Sequence, residues 1–510
     1  MGRGGSPGRW ISCFVLTAAC LGGHAVAQPG PSNSADAISP PSQVFASSQS
    51  SQSQSQSQSQ SAPTARRVQP SEPDRASLIE RGAYLAKAGD CAGCHTAPHG
   101  DSLAGGLPIN SPLGTIYSSN ITPDPQTGIG RYSYDDFVRA LRDGVAPGGK
   151  RLYPAMPYAS FARINDDDMR ALYAYFMHDV PPVHAIPPQT HLPFPFNQRW
   201  GLAAWDMVFV EHRCFEPSPG RDAQWNRGAY LVQSLGHCGA CHTPRGPAYE
   251  ELGYDEHSSD YLTGGTNDHW FAPNLTSVRA SGLGRLSEVE IALFLKTGHA
   301  GAPLYGQVFG SMREVVDDST QYLSDADAAA IAHYLKSLPA RAPSGGFDPQ
   351  SRAAAHSATA LRTGEIELPG AGFYQSFCAK CHGGDGAGRG GKFPALRGNP
   401  VVLSGNAASL IRIVLEGATP REVPGVPDTP GVPGVPGVPG VPGVPGVPGV
   451  PGVPGTSGSH DNDPMPAFAK RLDDREIAHV LTFIRNAWGN AAAPVTIRDV
   501  ATTRAAVAKP

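Results

Sequence analysis

The chain has 510 residues, 40% hydrophobic and 16% charged, with a net charge of −4, a length that suits about three domains. No run of Lys or Arg exceeds a pair, which excludes a nucleic-acid partner held by a basic tract. Beyond the N-terminus no segment carries the roughly 20 apolar residues that span a bilayer, so any membrane contact is expected to be peripheral or through a partner.

Residues 1–27 have the build of a secretory signal. Arg3 and Arg9 form the charged end, Trp10 to Leu21 the apolar stretch, and Ala25-Val26-Ala27 the cleavage site. Cys20 offers a lipoprotein reading, but Thr17 stands where leucine is preferred. Residues 28–73 are rich in Pro, Ser and Gln, with a Ser-Gln alternation from Ser51 to Ser61; such a stretch buries no core and is expected to be a disordered tether.

Three related units follow. In the first, residues 74–190, Arg81-Gly-Ala-Tyr84-Leu85 leads into Cys91-Ala-Gly-Cys94-His95. Asn120-Ile-Thr122 comes next, then Ser133 with Asp136 three positions on, which is a capping-box pattern. Met156 precedes a closing helix expected from Asn165 through Phe176. The aromatic run from Phe194 to Phe209, within a connector over 191–220, is a candidate rigid spacer.

The second unit, 221–341, repeats the order: Arg227-Gly-Ala-Tyr230-Leu231, Cys238-Gly-Ala-Cys241-His242, Asn274-Leu-Thr276, and Ser287 with Glu290. Met312 follows, then a closing helix from Ser324 through Leu338. The repeated Asn-x-Thr triplets match the glycosylation sequon, but their recurrence at one place implies a loop-packing role. A linker over 342–360 leads to the third unit, 361–490, with Phe373-Tyr374, Cys378-Ala-Lys-Cys381-His382, Met465, and a helix from Asp473 through Trp488. A Val-Pro-Gly tract over 423–455 cannot form a helix and reads as an insertion in a surface loop, where loop-closure entropy makes length cheap. Residues 491–510 read as a weakly patterned tail, either a help in anchoring or a frayed end.

Cys-x-x-Cys-His is the motif of covalent haem attachment. Residues three and four apart on a helical turn share a face, so two thiols can reach the porphyrin's two vinyl groups while the next imidazole meets its iron. A zinc ribbon would need two cysteine pairs close together, and a redox dithiol gives no reason for the histidine. Cys91, Cys94, Cys238, Cys241, Cys378 and Cys381 are therefore expected to hold three haem c groups, with His95, His242 and His382 on the iron. Met156, Met312 and Met465 stand before the closing helices and are the candidate sixth ligands, which would raise the potential; core filler is the alternative for a methionine. His299 is the rival at the second site. The remaining cysteine outside the signal, Cys214, is expected to be a buried thiol.

The fold expected is all-α: three tandem class I cytochrome c-like domains, each wrapped around one covalently bound haem. Ser118-Ser-Asn-Ile-Thr-Pro-Asp124, Leu152-Tyr-Pro-Ala-Met-Pro157, Tyr173-Ala-Tyr-Phe-Met-His178, Phe309-Gly-Ser-Met312 and Ala332-His-Tyr-Leu-Lys-Ser-Leu-Pro339, taken in order, resemble the triple-haem cytochrome c subunit of membrane-bound bacterial dehydrogenases. That resemblance implies a redox subunit without substrate chemistry of its own, on the periplasmic side of the inner membrane. It would take electrons from a catalytic dehydrogenase subunit oxidising an alcohol, sugar acid, polyol or aldehyde, and pass them to ubiquinone. The alternatives are a multihaem peroxidase or oxidase with one open haem, which needs acid–base groups beside it, and a free periplasmic shuttle.

Overall fold

The structure, a computed structural model, describes residues 72–508 apart from 268, 302–303, 305, 364–368, 390–392 and 420–463. The signal, nearly all of the tether and the Val-Pro-Gly tract lie outside the described residues.

Helices dominate, in a repeating order. The first segment runs α1 (Glu72–Ala88), α2 (Cys91–His95), the β1–β2 hairpin (Pro108–Ser111 and Gly114–Tyr117), α3 (Tyr134–Asp143), the β3–β4 pair (Val145–Ala146 and Lys150–Arg151), α4 (Tyr158–Phe161) and α5 (Asp166–His178). After α6 (Leu202–Phe209), the second runs α7 (Ala223–Gln233), α8 (Gly239–His242), β5 (Gly265–Asn267), β6 (Trp270–Ala272), α9 (Glu288–Thr297), α10 (Ser311–Asp318) and α11 (Asp325–Ser337). The third holds β7 (Gly346–Phe347), α12 (Arg352–Thr363), α13 (Ala371–Phe377), α14 (Ala379–His382), α15 (Pro400–Leu403), α16 (Ala408–Glu416), α17 (Asp474–Asn486), β8 (Asn490–Ala491) and α18 (Ile497–Val507).

Capping sets the helix boundaries. Ser133 and Asp136, Ser287 and Glu290, and Asp473 and Glu476 form complete capping boxes. Asn165 and Ser324 accept from the amides of Asp168 and Asp327 to start α5 and α11.

Leading and closing helices cross closely. A Cβ on Gly82 would lie 2.0 Å from the Ala171 carbonyl oxygen of α5, and one on Gly228 2.0 Å from that of Ala330 in α11, so only glycine lets these backbones meet. One apolar core runs without a break through both segments, from Leu85 and Leu172 to Leu231 and Leu335. The third segment builds its own around Tyr374, Leu481 and Trp488. The connector ties to both of its neighbours: Asp206 accepts from Tyr158 OH at 2.7 Å and pairs with Arg151, while Trp205 Nε1 donates to Ala248 O at 2.9 Å.

The structure departs from the sequence reading in four places. Among the described residues four two-stranded antiparallel sheets interrupt the helices; their strands of two to four residues are too short to show a period-2 pattern. Residues 342–360 contain β7 and most of α12, and β7 pairs with β8 across the third segment. The expected frayed tail contains α18, begun by a Thr496–Asp499 capping box and fastened where Arg504 donates to Asp474 at 2.7 Å. Cys214 is exposed, not buried: the extended chain turns its neighbour Phe215 inward onto Tyr230, with ring centroids 5.6 Å apart, and successive side chains in extended chain point opposite ways.

Arg485 is the hub of the third core. It is 1% exposed and donates to the carbonyls of Ala493 (2.7 Å), Val402 (2.8 Å) and Ser404 (2.9 Å). An Arg485→Ala substitution leaves the buried carbonyls of Val402 and Ser404 unpaired and is expected to destabilise the protein by about 3 kcal/mol, measured by denaturant unfolding; a loss below about 1 kcal/mol would show that the hub is dispensable.

Candidate functional site

Each Cys-x-x-Cys-His run is one helical turn at the end of a leading helix. After α1 the chain bends at Asp90, which has a left-handed φ of 52°, and enters α2. After α7 it bends at His237, with φ 31°. The Cys238 carbonyl accepts from the amides of Cys241 (3.4 Å) and His242 (2.9 Å), and the Cys378 carbonyl from those of Cys381 (3.1 Å) and His382 (2.9 Å). The two thiols of a motif and its imidazole are thus set by one turn of backbone.

The three histidines share one more feature. His95 Nδ1 lies 2.7 Å from the Ser119 carbonyl oxygen, His242 Nδ1 2.7 Å from that of Pro273, and His382 Nδ1 2.9 Å from that of Pro394. A carbonyl can only accept, so the proton sits on Nδ1 and Nε2 keeps its lone pair. A metal-ligating histidine is prepared in this way, with its other nitrogen anchored so that tautomer and ring direction are fixed. Burial holds all three imidazoles below the ordinary histidine range, in the neutral form that binds a metal.

Burial pushes Cys91, Cys94, Cys238 and Cys378 up to about 12 and raises Cys241 as well. Among the described residues no three His, Cys, Asp or Glu side chains gather to hold a metal ion. Haem, which takes two thioether links and one imidazole from each turn, fits this donor set.

Sequence reasoning did not identify the carbonyls that orient the histidines, although the signal was present. Ser119 and Pro273 immediately precede the two Asn-x-Thr triplets. Asn120 is buried; its Nδ2 donates to Val183 O at 2.8 Å and its Oδ1 accepts from the Thr122 amide at 2.9 Å. Asn274 does the same with Arg341 O at 2.8 Å and the Thr276 amide at 2.7 Å. The triplets therefore clamp the loop that presents each carbonyl. At the third site the loop is held differently, with Ala395 N donating to Leu304 O of the second segment at 2.9 Å.

The methionines occupy three local settings. Met156 sits in a tight turn, its amide donating to Tyr153 O and its carbonyl accepting from Tyr158 N. Met312 lies in the first turn of α10. Met465 forms an isolated antiparallel bridge with Ala418. Met156 packs on the core shared by the first two segments, and Met465 on that of the third. His299 is half-buried, with its Nδ1 2.9 Å from the Thr297 carbonyl, so its Nε2 is also prepared for a metal. Among the described residues no helix is long and apolar enough to cross a membrane.

Comparison with known proteins identifies the family. Residues 367–430, which include the third Cys-x-x-Cys-His turn, match the family described as cytochrome c oxidase, cbb3-type, subunit III. The chain is 44% identical over 437 residues to the cytochrome c subunit of the quinone alcohol dehydrogenase of Gluconacetobacter polyoxogenes, covering 84% of each chain. It is 43% identical over 434 residues to the gluconate 2-dehydrogenase cytochrome c subunit of Pantoea cypripedii, covering 84% of this chain and 90% of that one. A diheme c-type cytochrome of Cereibacter sphaeroides is 36% identical over 272 residues, 51% of this chain and 86% of its own. The chain belongs to the family of cytochrome c subunits of bacterial dehydrogenases, the electron-transfer partners of those enzymes.

Proposed function

We propose that this chain carries three haem c groups and relays electrons from a catalytic dehydrogenase subunit to membrane ubiquinone, from the periplasmic side of the inner membrane. The observation that carries the reading is the thrice-repeated anchoring of a Cys-x-x-Cys-His imidazole through Nδ1 to a backbone carbonyl. Bound haem supplies a reversible one-electron change at iron. The chain supplies the rest: His95, His242 and His382 as proximal ligands, the six thiols as covalent links, and burial that tunes the potential.

Met156, Met312 and Met465 are the proposed sixth ligands. A thioether favours the reduced state and closes the face that a peroxidase leaves open, which weighs against substrate chemistry at these sites. At the second site His299 is the competing donor. The diheme relative covers roughly half of this chain, in keeping with a count that grows with the number of units. Ubiquinone enters from the class of enzyme that the relatives serve, one of them named a quinone alcohol dehydrogenase subunit.

Haem content separates three sites from two. The full-length protein is expected to hold three haems per chain by alkaline pyridine assay, and the Cys378→Ala/Cys381→Ala variant two; an intact value of two would remove one site from the reading. Replacing Met156, Met312 or Met465 by Leu should each remove about a third of the near-infrared methionine–iron band and lower one midpoint potential. A band unchanged by Met312→Leu would assign that position to His299. Asn120→Ala or Asn274→Ala should cost about 1–3 kcal/mol through the buried hydrogen bonds lost and perturb only its own haem's spectrum. Isolation under mild detergent should bring down a dehydrogenase in fixed ratio, with substrate-reduced haem reoxidised by a ubiquinone analogue. Recovery of the haem protein alone would favour a free shuttle.

A further inference from the structure

The first two segments exchange side chains by one rule. The arginine of each Arg-Gly-Ala-Tyr run stays within its own segment: Arg81 Nη2 lies 2.6 Å from Asp168 in α5, and Arg227 Nη2 2.7 Å from Asp327 in α11. The tyrosine crosses over. Tyr84 OH donates to Asp327 Oδ2 at 2.5 Å, and Tyr230 OH donates to Asp168 Oδ2 at 2.6 Å.

Each hydroxyl also accepts an amide at the start of the other segment's closing helix, Ser324 N at 3.2 Å for Tyr84 and Asn165 N at 3.4 Å for Tyr230. Both aspartates are buried at the third position of their helices, where orphan amides and the dipole favour an anion. A buried carboxylate is costly unless its oxygens are satisfied, and the tyrosine from the opposite segment completes that shell. Among the described residues the third segment shows no such exchange: Pro369 stands where the arginine would be, and Tyr374 OH donates to Gly383 O of its own segment at 2.6 Å.

The crossing lies at the roots of the attachment turns. From Tyr84, α1 runs into Gly89-Asp90-Cys91; from Tyr230, α7 runs toward Gly236-His237-Cys238. There the two segments meet again. The His237 ring packs edge-on against Phe161 of the first segment with centroids 5.6 Å apart, and a Cβ on Gly89 would lie 3.5 Å from Leu235 of the second.

We propose that Tyr84 and Tyr230 are positioning residues that latch the first two haem sites into one rigid two-site unit, each tyrosine holding the closing helix of the other segment. The latch fixes the separation of the two attachment turns and hence supports direct electron exchange between those sites. It rests on the reading that both turns carry haem.

The test uses the full-length, haem-loaded protein with Tyr84→Phe, Tyr230→Phe and both together. Haem content comes first: fewer than two haems on the first two motifs of the unaltered protein would overturn that underlying reading. Amide exchange by mass spectrometry should then show a crossed pattern. Tyr84→Phe should speed exchange at residues 324–327 by roughly tenfold or more, the loss of one hydrogen bond to a charged group, and leave 165–168 unchanged; Tyr230→Phe should do the reverse. In the double variant, electron equilibration between the first two haems after flash reduction should slow several-fold with haem content intact. Exchange changes confined to each tyrosine's own segment, or an unchanged equilibration rate, would overturn the latch. Should the double variant fail to load haem, the crossed exchange pattern of the single variants decides alone.

Discussion

The close crossing of leading and closing helices is the constraint on which the rest of the first two segments depends. Because Gly82 and Gly228 lay bare backbone on the carbonyls of Ala171 and Ala330, α1 meets α5, and α7 meets α11, at backbone contact. The end of each leading helix is thereby fixed, and the attachment turn begins there. Each Arg–Asp pair spans the same crossing, and each tyrosine of the latch reaches from it to the closing helix of the other segment. A side chain at either glycine would part the helices and displace thiols and imidazole together.

A second constraint acts on the imidazoles. The attachment turn sets where each histidine stands, but its ring could still rotate or change tautomer. A carbonyl presented from a separate loop removes both freedoms. In the first two segments a buried Asn-x-Thr clamp holds that loop; in the third a backbone contact from the second segment does so. One electronic requirement is thus met by two structural solutions, which fits a third segment that diverges in core and in sequence.

Much of the site was legible beforehand. The Cys-x-x-Cys-His runs, the capping residues Ser133, Ser287, Asn165, Ser324 and Asp473, and the recurrence of the Asn-x-Thr triplets are local signals, and local chemistry decides them. Backbone acceptors carry no residue signature, so Ser119, Pro273 and Pro394 could not be named in advance. The strands of β1 to β8 were too short to imprint a period. The helix α18 was missed because its hold on α17, through Arg504 and Asp474, joins residues 30 positions apart. Cys214 was misplaced because its exposure depends on Phe215 docking against Tyr230.

The chemistry is written locally in the chain: three pairs of thiols with an imidazole, at a spacing that one helical turn converts into a single face. So are the helix starts, because a cap and the amide it accepts lie three residues apart. That the first two segments share a core while the third has its own emerges from long-range packing. Packing alone shows that Tyr84 and Tyr230 serve the opposite segment, since a hydroxyl and a carboxylate 243 residues apart meet only after both helices have packed.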